Sequence, residues 1–201
     1  MARPSKKDLI MDTAMELYAE RGLDGVSLRE INAAANLSSS AIRYHFKTRD
    51  VLVTELLEGM QPPFFERRQA HLTALHNNTD HTLENVVRAL VCPMSDALRD
   101  PSNNGLKQLR FLSRLYFDGA AGLGDQFELS WQVFKPLLMP LLSDTPEHYV
   151  KLKWLLSSEL CLQALANQSM LFKRAGLSDV HQDFDAFEQE LINYICAGLR
   201  V

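Results

Sequence analysis

The residues best suited to chemistry lie close together near the N-terminus, between Ser38 and Lys47. Ile42 and Phe46 are four positions apart and would point inward together from a helix. The opposite face would present hydroxyls, cations and aromatic rings: Ser39, Ser40, Arg43, Tyr44, His45 and Lys47. Such side chains hydrogen-bond to base edges and phosphates. We therefore predict a helix that enters a DNA major groove, with Arg43 reading a guanine.

A second short helix must hold this one in place. Ser27 followed by Glu30 is a capping box that starts a helix. Asn36 tolerates the left-handed conformation that ends one, and Ser38 can cap the next. Two short helices joined by a tight turn form a helix-turn-helix. In this arrangement Ser27, Ser38 and Lys47 are expected to bind phosphates.

The same stretch resembles the helix-turn-helix of TetR-family transcriptional regulators. The residues that match the family pattern are Leu17, Gly22, Leu23, Val26, Ser27, Leu37, Ser38, Ile42, Tyr44, His45, Phe46, Lys47, Thr48, Arg49, Asp50 and Leu52. Arg43 departs from the pattern, which usually has an aromatic residue there. The resemblance implies a helical body that dimerises through its last two long helices and holds an effector pocket.

Charge is unevenly distributed over the 201 residues, whose net charge is −4. Residues 1–50 have eight Lys or Arg and seven Asp or Glu, whereas residues 51–201 have thirteen and eighteen. The positive balance is therefore confined to the end that carries the motif, where Arg3, Lys6 and Lys7 could reach DNA. No apolar run is long enough to span a membrane and no secretion signal is present, which predicts a cytoplasmic protein. Three widely spaced cysteines predict reduced, buried thiols.

Hydrophobic spacing predicts an all-α fold of about nine helices, divided into a helix-turn-helix domain at 1–50 and an effector-binding and dimerisation domain at 51–201. The first helix should span 6–21, with Ser5 as its cap and Gly22 as its end. The fourth should start after Thr48 and be broken or kinked at Pro62 and Pro63. Later helices are predicted from about 81, interrupted by Pro93, and at 106–117, 125–143 and 146–173, with the last ending near Ala197.

The body contains no catalytic motif, Gly-rich phosphate loop or zinc signature, so we predict neither an enzyme nor a metal or cofactor site. His71, His76 and His81 are five positions apart and would point in different directions from one helix. An effector pocket is predicted from large or charged residues of the central helices: Arg68, Met94, Phe111, Arg114, Phe117, Trp131, Phe134 and Trp154. Such a chamber would suit an amphipathic acid whose carboxylate meets an arginine. Ordinary core packing is the alternative for these residues.

The last two long helices have more apolar residues than one core-facing stripe needs, which favours a homodimer over a monomer. The predicted interface comprises Ser158, Cys161, Leu162, Leu165, Phe187, Leu191, Tyr194 and Ile195. Two copies would read a pseudo-palindromic operator. The segments ERRQAHLTAL and RALVCP loosely resemble a TetR branch that responds to fatty acids or their acyl-CoA esters.

The resulting hypothesis is a homodimeric repressor that a small amphipathic effector releases from its operator. Two alternatives remain open. The same head would serve an activator equally well. A helical small-molecule carrier or protein-interaction module without operator binding would lack a DNA footprint.

Overall fold

The computed structural model describes residues 5–76, 81–100, 104–118, 123–177 and 180–200. These ranges contain ten α-helices, one short 3-10 helix and no β-strand, which confirms the all-α prediction and slightly exceeds the predicted number of helices. The helices are α1 (Lys6–Arg21), α2 (Leu28–Ala34), α3 (Ser39–His45), α4 (Arg49–His76), α5 (Leu83–Arg99), α6 (Gly105–Phe117), α7 (Leu123–Leu138), the 3-10 helix (Met139–Leu142), α8 (Glu147–Ala166), α9 (Gln168–Ala175) and α10 (Val180–Arg200).

Helix α1 begins and ends where its capping residues predict. The Ser5 hydroxyl accepts a hydrogen bond from the Asp8 backbone N–H at 3.1 Å, and the Asp8 carboxylate accepts one from the Ser5 N–H. These two bonds satisfy amide groups that have no partner inside the helix. At the other end Gly22 has φ 76°, a value that glycine adopts without a side-chain clash.

Prolines lie inside three helices. Of the break or kink predicted at Pro62 and Pro63, the break is wrong, because α4 continues through both as one helix of 28 residues, and the kink stays a prediction. The predicted interruption at Pro93 is also wrong, since Pro93 is buried within α5. A proline removes one backbone hydrogen bond from the helix, and tertiary packing of the turns before and after the proline compensates for that loss. Pro136 lies in the last turn of α7 and Pro140 in the 3-10 helix, so the helix predicted at 125–143 is α-helical only to Leu138.

The predicted continuous helix at 146–173 is wrong at Asn167, which separates α8 from α9. The Asn167 side-chain amide donates to the Gln163 carbonyl at 3.0 Å, and its backbone N–H donates to the same oxygen at 3.1 Å. Asparagine readily makes such local bonds, which compete with continuation of the helix. Helix α9 then ends at Gly176 with φ 72°, the left-handed conformation in which glycine commonly ends a helix, and α10 extends to Arg200.

Several predicted loops fall on residues outside the described ranges. They are the Ser178 cap, residues 77–80 and 101–103 of the loops predicted at 76–81 and 100–105, and residues 119–122 of the glycine-rich turn predicted at 119–124. Cys92, Cys161 and Cys196 lie within the described ranges and are free and buried, as predicted. Burial raises the pKa of Cys92 to about 11 and also raises the pKa of Cys161. None of the described helices has the length and apolar character that crossing a bilayer requires.

Two hydrophobic clusters organise the packing. The head cluster contains residues from α1 to the first half of α4, and also Phe111 and Leu115 from α6. The body cluster is larger and combines residues of α4, α5, α6, α7, α8 and α10. The domain boundary at residue 50 therefore stays a prediction, since the head cluster extends past it to Met60 and includes part of α6.

Candidate nucleic-acid interface

Helix α2 starts at a capping box formed by Ser27 and Glu30. The Ser27 hydroxyl accepts the Glu30 N–H at 3.2 Å and donates to the Glu30 carboxylate at 2.7 Å, and the Ser27 N–H donates to the same carboxylate at 2.8 Å. The backbone N–H and hydroxyl of Ser27 hold the pKa of Glu30 below its ordinary value of 4.5. The hydroxyl proton of Ser27 is thus already donated within the chain, and a phosphate could be bound only through other groups at this helix start.

The turn between α2 and α3 has a defined conformation. Asn36 has φ 53°, the left-handed value that its residue type tolerates. The Leu37 backbone N–H donates to the Asn32 carbonyl at 3.0 Å, and the buried Asn32 side chain donates to the Ser38 carbonyl. Ser38 occupies the capping position of α3, as predicted, but its hydroxyl makes no capping hydrogen bond. The turn therefore fixes the direction in which α3 leaves α2.

Helix α3 is anchored by its apolar face. Ile42 is 2% exposed and Phe46 is fully buried in the head cluster, beside residues of α1, α2 and α4. The Lys7 ammonium lies 5.8 Å from the centre of the Phe46 ring and also pairs with Glu55 of α4. Such packing leaves α3 no freedom to rotate about its axis, so its outer face has a fixed direction.

The outer face of α3 carries most of the residues predicted to contact DNA. Lys47 is predicted on the same helix face but lies just after it, because α3 ends at His45 and Phe46 has an extended backbone. Arg43, Tyr44 and Lys47 are exposed, Tyr44 to 85%, and His45 is half-buried. The Tyr44 and His45 rings meet edge to face with centroids 5.0 Å apart. Among the described residues, no hydrogen bond or ion pair occupies the polar groups of these four side chains. The side chains of Ser39 and Ser40 lie outside the described part of the structure.

Arg29 is a candidate contact that sequence reasoning missed. It is exposed in the first turn of α2, next to Ser27, and no described residue pairs with it. A cation beside the exposed amides of a helix start favours a phosphate oxygen. Its position two residues after the predicted cap was the signal that could have identified it.

The head contacts the body through α1 and α6. The Lys107 ammonium pairs with Asp12 at 2.7 Å, and the Tyr18 and Phe111 rings stack with centroids 6.2 Å apart. Burial raises the pKa of Tyr18 to about 12, so its phenol is neutral at physiological pH. Together these contacts connect the helix that supports α2 and α3 to the body.

The turn between α1 and α2 is held by residues from two other helices. The Leu23 backbone N–H donates to the Asp118 carboxylate just after α6, at 3.0 Å. Arg49, at the start of α4, donates to the Leu23 carbonyl and the Asp24 carboxylate, each at 3.0 Å. A displacement of α4 or α6 would therefore shift the position of α2.

The family model for bacterial regulatory proteins of the tetR family matches residues 10–56. Residues 10–56 therefore resemble a tetR-family N-terminal domain. The match runs from α1 into the first turns of α4 and includes the whole outer face of α3. It confirms the predicted helix-turn-helix.

Named relatives resemble this tetR-family segment. The chain is 32% identical over 63 residues to the HTH-type transcriptional repressor KstR2 of Rhodococcus jostii, and the aligned residues cover 31% of each chain. It is 31% identical over 53 residues to IcaR of Staphylococcus epidermidis, a negative transcriptional regulator of the biofilm operon icaADBC, covering 26% of this chain and 29% of IcaR. The chain thus spans about a third of the length of the curated relatives it matches. A solved structure of Salmonella enterica GusR aligns with 98% of this chain and 96% of its own, at 14% identity and a TM-score of 0.45.

Seven of the eight residues predicted to form an effector pocket lie in three places. Met94, Trp131, Phe134 and Trp154 are buried in the body cluster, where the Phe134 and Trp154 rings are 4.5 Å apart. Phe111 belongs to the head cluster. Arg114 and Phe117 lie at the surface, with the Arg114 guanidinium 5.4 Å from the Phe117 ring centre.

Arg68, the remaining member, is a half-buried cation of α4. Burial lowers its pKa, against the opposing influence of the nearby Tyr116 on α6 and Cys161 on α8. Elsewhere in the body core, the buried Ser95 hydroxyl and Trp154 indole N–H have no hydrogen-bond partner among the described residues. Buried polar groups of this kind normally have partners, so these positions have unused hydrogen-bonding capacity.

Most residues predicted to form the dimer interface are buried within one chain. Cys161, Leu162, Leu165, Leu191 and Ile195 are at most 7% exposed, and Ser158 and Phe187 are half-buried. Only Tyr194, at 69%, is exposed.

A different apolar stripe is exposed on α8: Tyr149, Leu152, Leu156 and Leu160. These residues follow one another at intervals of three, four and four, out of phase with the buried Val150, Trp154 and Cys161. These four apolar residues recur at helical spacing along a second face of α8, and that spacing was the signal that sequence reasoning did not use.

Proposed function

We propose that this protein is a DNA-binding transcriptional regulator, a repressor that acts as a homodimer and leaves its operator when it binds a small amphipathic effector. One observation carries the proposal: Arg43 and Tyr44 are exposed on α3 and Lys47 is exposed just after its end. Ile42 and Phe46 fix this part of the chain, which lies within the segment that the tetR-family model matches. KstR2 and IcaR are named as a repressor and a negative regulator, which supports repression over activation. Such a protein would act in the cytoplasm.

The DNA contacts divide into two groups by chemistry. Lys47, with the starts of α2 and α3 at Ser27 and Ser38, would bind phosphates, and Arg29 would extend this row. Arg43 would donate two hydrogen bonds to a guanine in the major groove, flanked by Ser39, Ser40, Tyr44 and His45. Phosphate contacts set affinity for any duplex, whereas the Arg43 contact sets the sequence preference.

Two variants test this division. DNA upstream of the protein's own gene is the first probe for a footprint, followed by binding assays on the protected site and on random duplex. Arg43→Ala should lose about 1–3 kcal/mol on the protected site and much less on random DNA. Lys47→Ala should weaken binding to both and reduce the salt dependence by about one phosphate contact.

Arg174→Ala is the matched control, because Arg174 is an exposed arginine on α9, far along the chain from the tetR-family segment. It should change neither affinity. The absence of a footprint on any tested DNA would contradict the proposed role of α3, and so would an Arg43→Ala variant whose affinity for the protected site is unchanged. A protein that binds small molecules but leaves no footprint would instead fit a carrier.

Dimerisation is proposed through α8 and α10. Leu152, Leu156 and Leu160 form an exposed apolar stripe on α8, and Tyr194 is exposed on α10, which packs beside it. Ala186, Ala197 and Gly198 are small exposed residues of α10 that would allow another helix to approach closely. A two-fold pair is the arrangement that reads two half-sites about 34–36 Å apart.

The effector is proposed to be an amphipathic acid whose carboxylate meets Arg68. A charge-assisted bond would offset the cost of burying this cation, and the apolar part of the ligand would lie among body-cluster residues such as Met94 and Trp154. Oleate and oleoyl-CoA are suitable probes. One of them should release the footprinted DNA, and Arg68→Met should raise the concentration needed at least tenfold. Release at the same concentration from the variant would remove Arg68 from the site.

A further inference from the structure

A cleft of about 760 Å³ lies between α1, α6 and the C-terminal end of α8. One face of α6 forms its floor, and this face carries three cations: Lys107, Arg110 and Arg114. Glu16 and Glu20 of α1 line one side, and the amides of Gln163 and Asn167 at the end of α8 line the other. Asp100, which follows α5 and pairs with Arg67, also lines the cleft. Charges of opposite sign therefore face the same cleft from two different helices.

Two contacts show how α1 and α6 are aligned. Lys107, in the first turn of α6, pairs with Asp12 in the middle of α1, and Asp118 accepts from the Leu23 N–H just beyond the ends of both helices. In both contacts the partners are 95 residues apart in sequence. The two helices consequently run parallel, with each α1 residue level with the α6 residue about 95 positions later.

By this alignment Glu16 lies level with Arg110, and Glu20 lies level with Arg114. Neither pair closes into a salt bridge. Arg114 instead pairs with Asp118 along its own helix at 3.4 Å, and the two glutamates have no cation within 4 Å in the described part of the chain. Two carboxylates and two guanidinium groups thus face one another across a gap that a dipolar molecule would bridge.

Arg110 is held in place for such a contact. Its Nε donates to the Ala166 carbonyl at the end of α8, at 3.3 Å. The two terminal nitrogens of the guanidinium make no hydrogen bond with any described residue. A planar guanidinium held at Nε presents these nitrogens as the pair of donors that a carboxylate accepts.

We propose that this cleft binds a small zwitterion, an α-amino acid or a short peptide, with its carboxylate on Arg110 and its ammonium on Glu16. Lys107 and Arg114 are paired with Asp12 and Asp118, which leaves Arg110 as the cation of α6 that has no carboxylate partner among the described residues. A simple anion would be repelled by Glu16 and Glu20, and a simple cation by Arg110, so a ligand with both charges is the one that both walls attract. The volume of the cleft leaves room for a side chain or a second residue. Arg114 and Phe117, which the sequence places among the effector residues, line this cleft.

The test measures binding to the full chain without DNA, so its result does not depend on the proposed regulatory function. Isothermal titration with the twenty common amino acids and their dipeptides with glycine should identify at least one ligand. The N-acetylated and the amidated forms of that ligand should each bind at least tenfold more weakly. Equal binding of either blocked form would overturn the proposal, as would no binding by the whole panel.

Charge-neutralising variants locate the site. Glu16→Gln and Arg110→Gln should each weaken binding of the identified zwitterion at least tenfold, and Glu16→Gln removes no contact on which folding depends. Glu58→Gln and Arg174→Gln alter exposed residues outside the cleft and should bind as the unmodified protein does. Unchanged binding by Glu16→Gln would place the ligand elsewhere and overturn the assignment.

Discussion

Replacing Leu156 with alanine should weaken self-association about thirtyfold. Leu156 is 58% exposed in the single chain and lies at the middle of the α8 stripe. Burying a whole leucine side chain stabilises by about 1.5–3 kcal/mol, so the part that a partner chain covers contributes about 1 kcal/mol. Two-fold symmetry places this residue in the interface twice, and about 2 kcal/mol corresponds to a factor of about thirty.

Sedimentation equilibrium over a dilution series measures this dissociation constant directly. Leu177→Ala is the matched control, because Leu177 is 49% exposed but follows the end of α9, away from the stripe. The control should dissociate at the same concentration as the unmodified protein. An unchanged dissociation constant for the Leu156→Ala dimer would refute the assignment of the interface to α8, and so would an equal weakening of the dimer in both variants.

Other changes test the head and the core. Gly22→Ala places a Cβ 2.6 Å from the Arg114 Nε at a φ of 76°, so thermal unfolding should show a loss of about 1–2 kcal/mol of unfolding free energy. Gly59→Ala is the comparison: the nearest atom to its new Cβ is 3.8 Å away, and the change should be neutral or stabilising. The pKa of Glu30 is lowered from 4.5, so the Glu30 carboxylate stabilises the fold fully above pH 4.5, and this stabilisation is lost as the pH falls below that value. The unfolding free energy of Glu30→Gln should therefore fall less between pH 7 and pH 3 than that of the unmodified protein. The buried thiols of Cys92, Cys161 and Cys196 should react with a disulfide reagent only after denaturation, and rapid reaction of the native protein would contradict their burial.

Short-range signals predicted the head well. Ser5, Ser27 and Asn36 act through bonds or dihedral angles within a few residues, and each behaves in the structure as its residue type suggests. The inward direction of Ile42 and Phe46 follows from helical periodicity alone and is confirmed. Where one residue and its immediate neighbours decide the conformation, the sequence is sufficient.

Longer-range packing explains what the sequence could not predict. Pro93 is an interruption by local rules, yet it lies buried inside a continuous helix because α5 is surrounded by other elements. Phe111 looks like a core residue of the body, but the packing of α1 against α6 places it under Tyr18 in the head. The distribution of the predicted effector residues over three regions has the same origin, since periodicity identifies a buried face without identifying what covers it.

Helix α6 could carry a signal from the body to the DNA-binding head. Leu109 belongs to the body cluster, whereas Phe111 and Leu115 belong to the head cluster, so one helix of 13 residues is part of both interiors. Packed interiors shift between discrete arrangements and do not deform gradually. A body rearrangement that displaced Leu109 along the helix axis would also displace Phe111, and with it Tyr18 of α1. Helix α4 would then act together with α6, because Arg49 and Asp118 hold the same turn at Leu23.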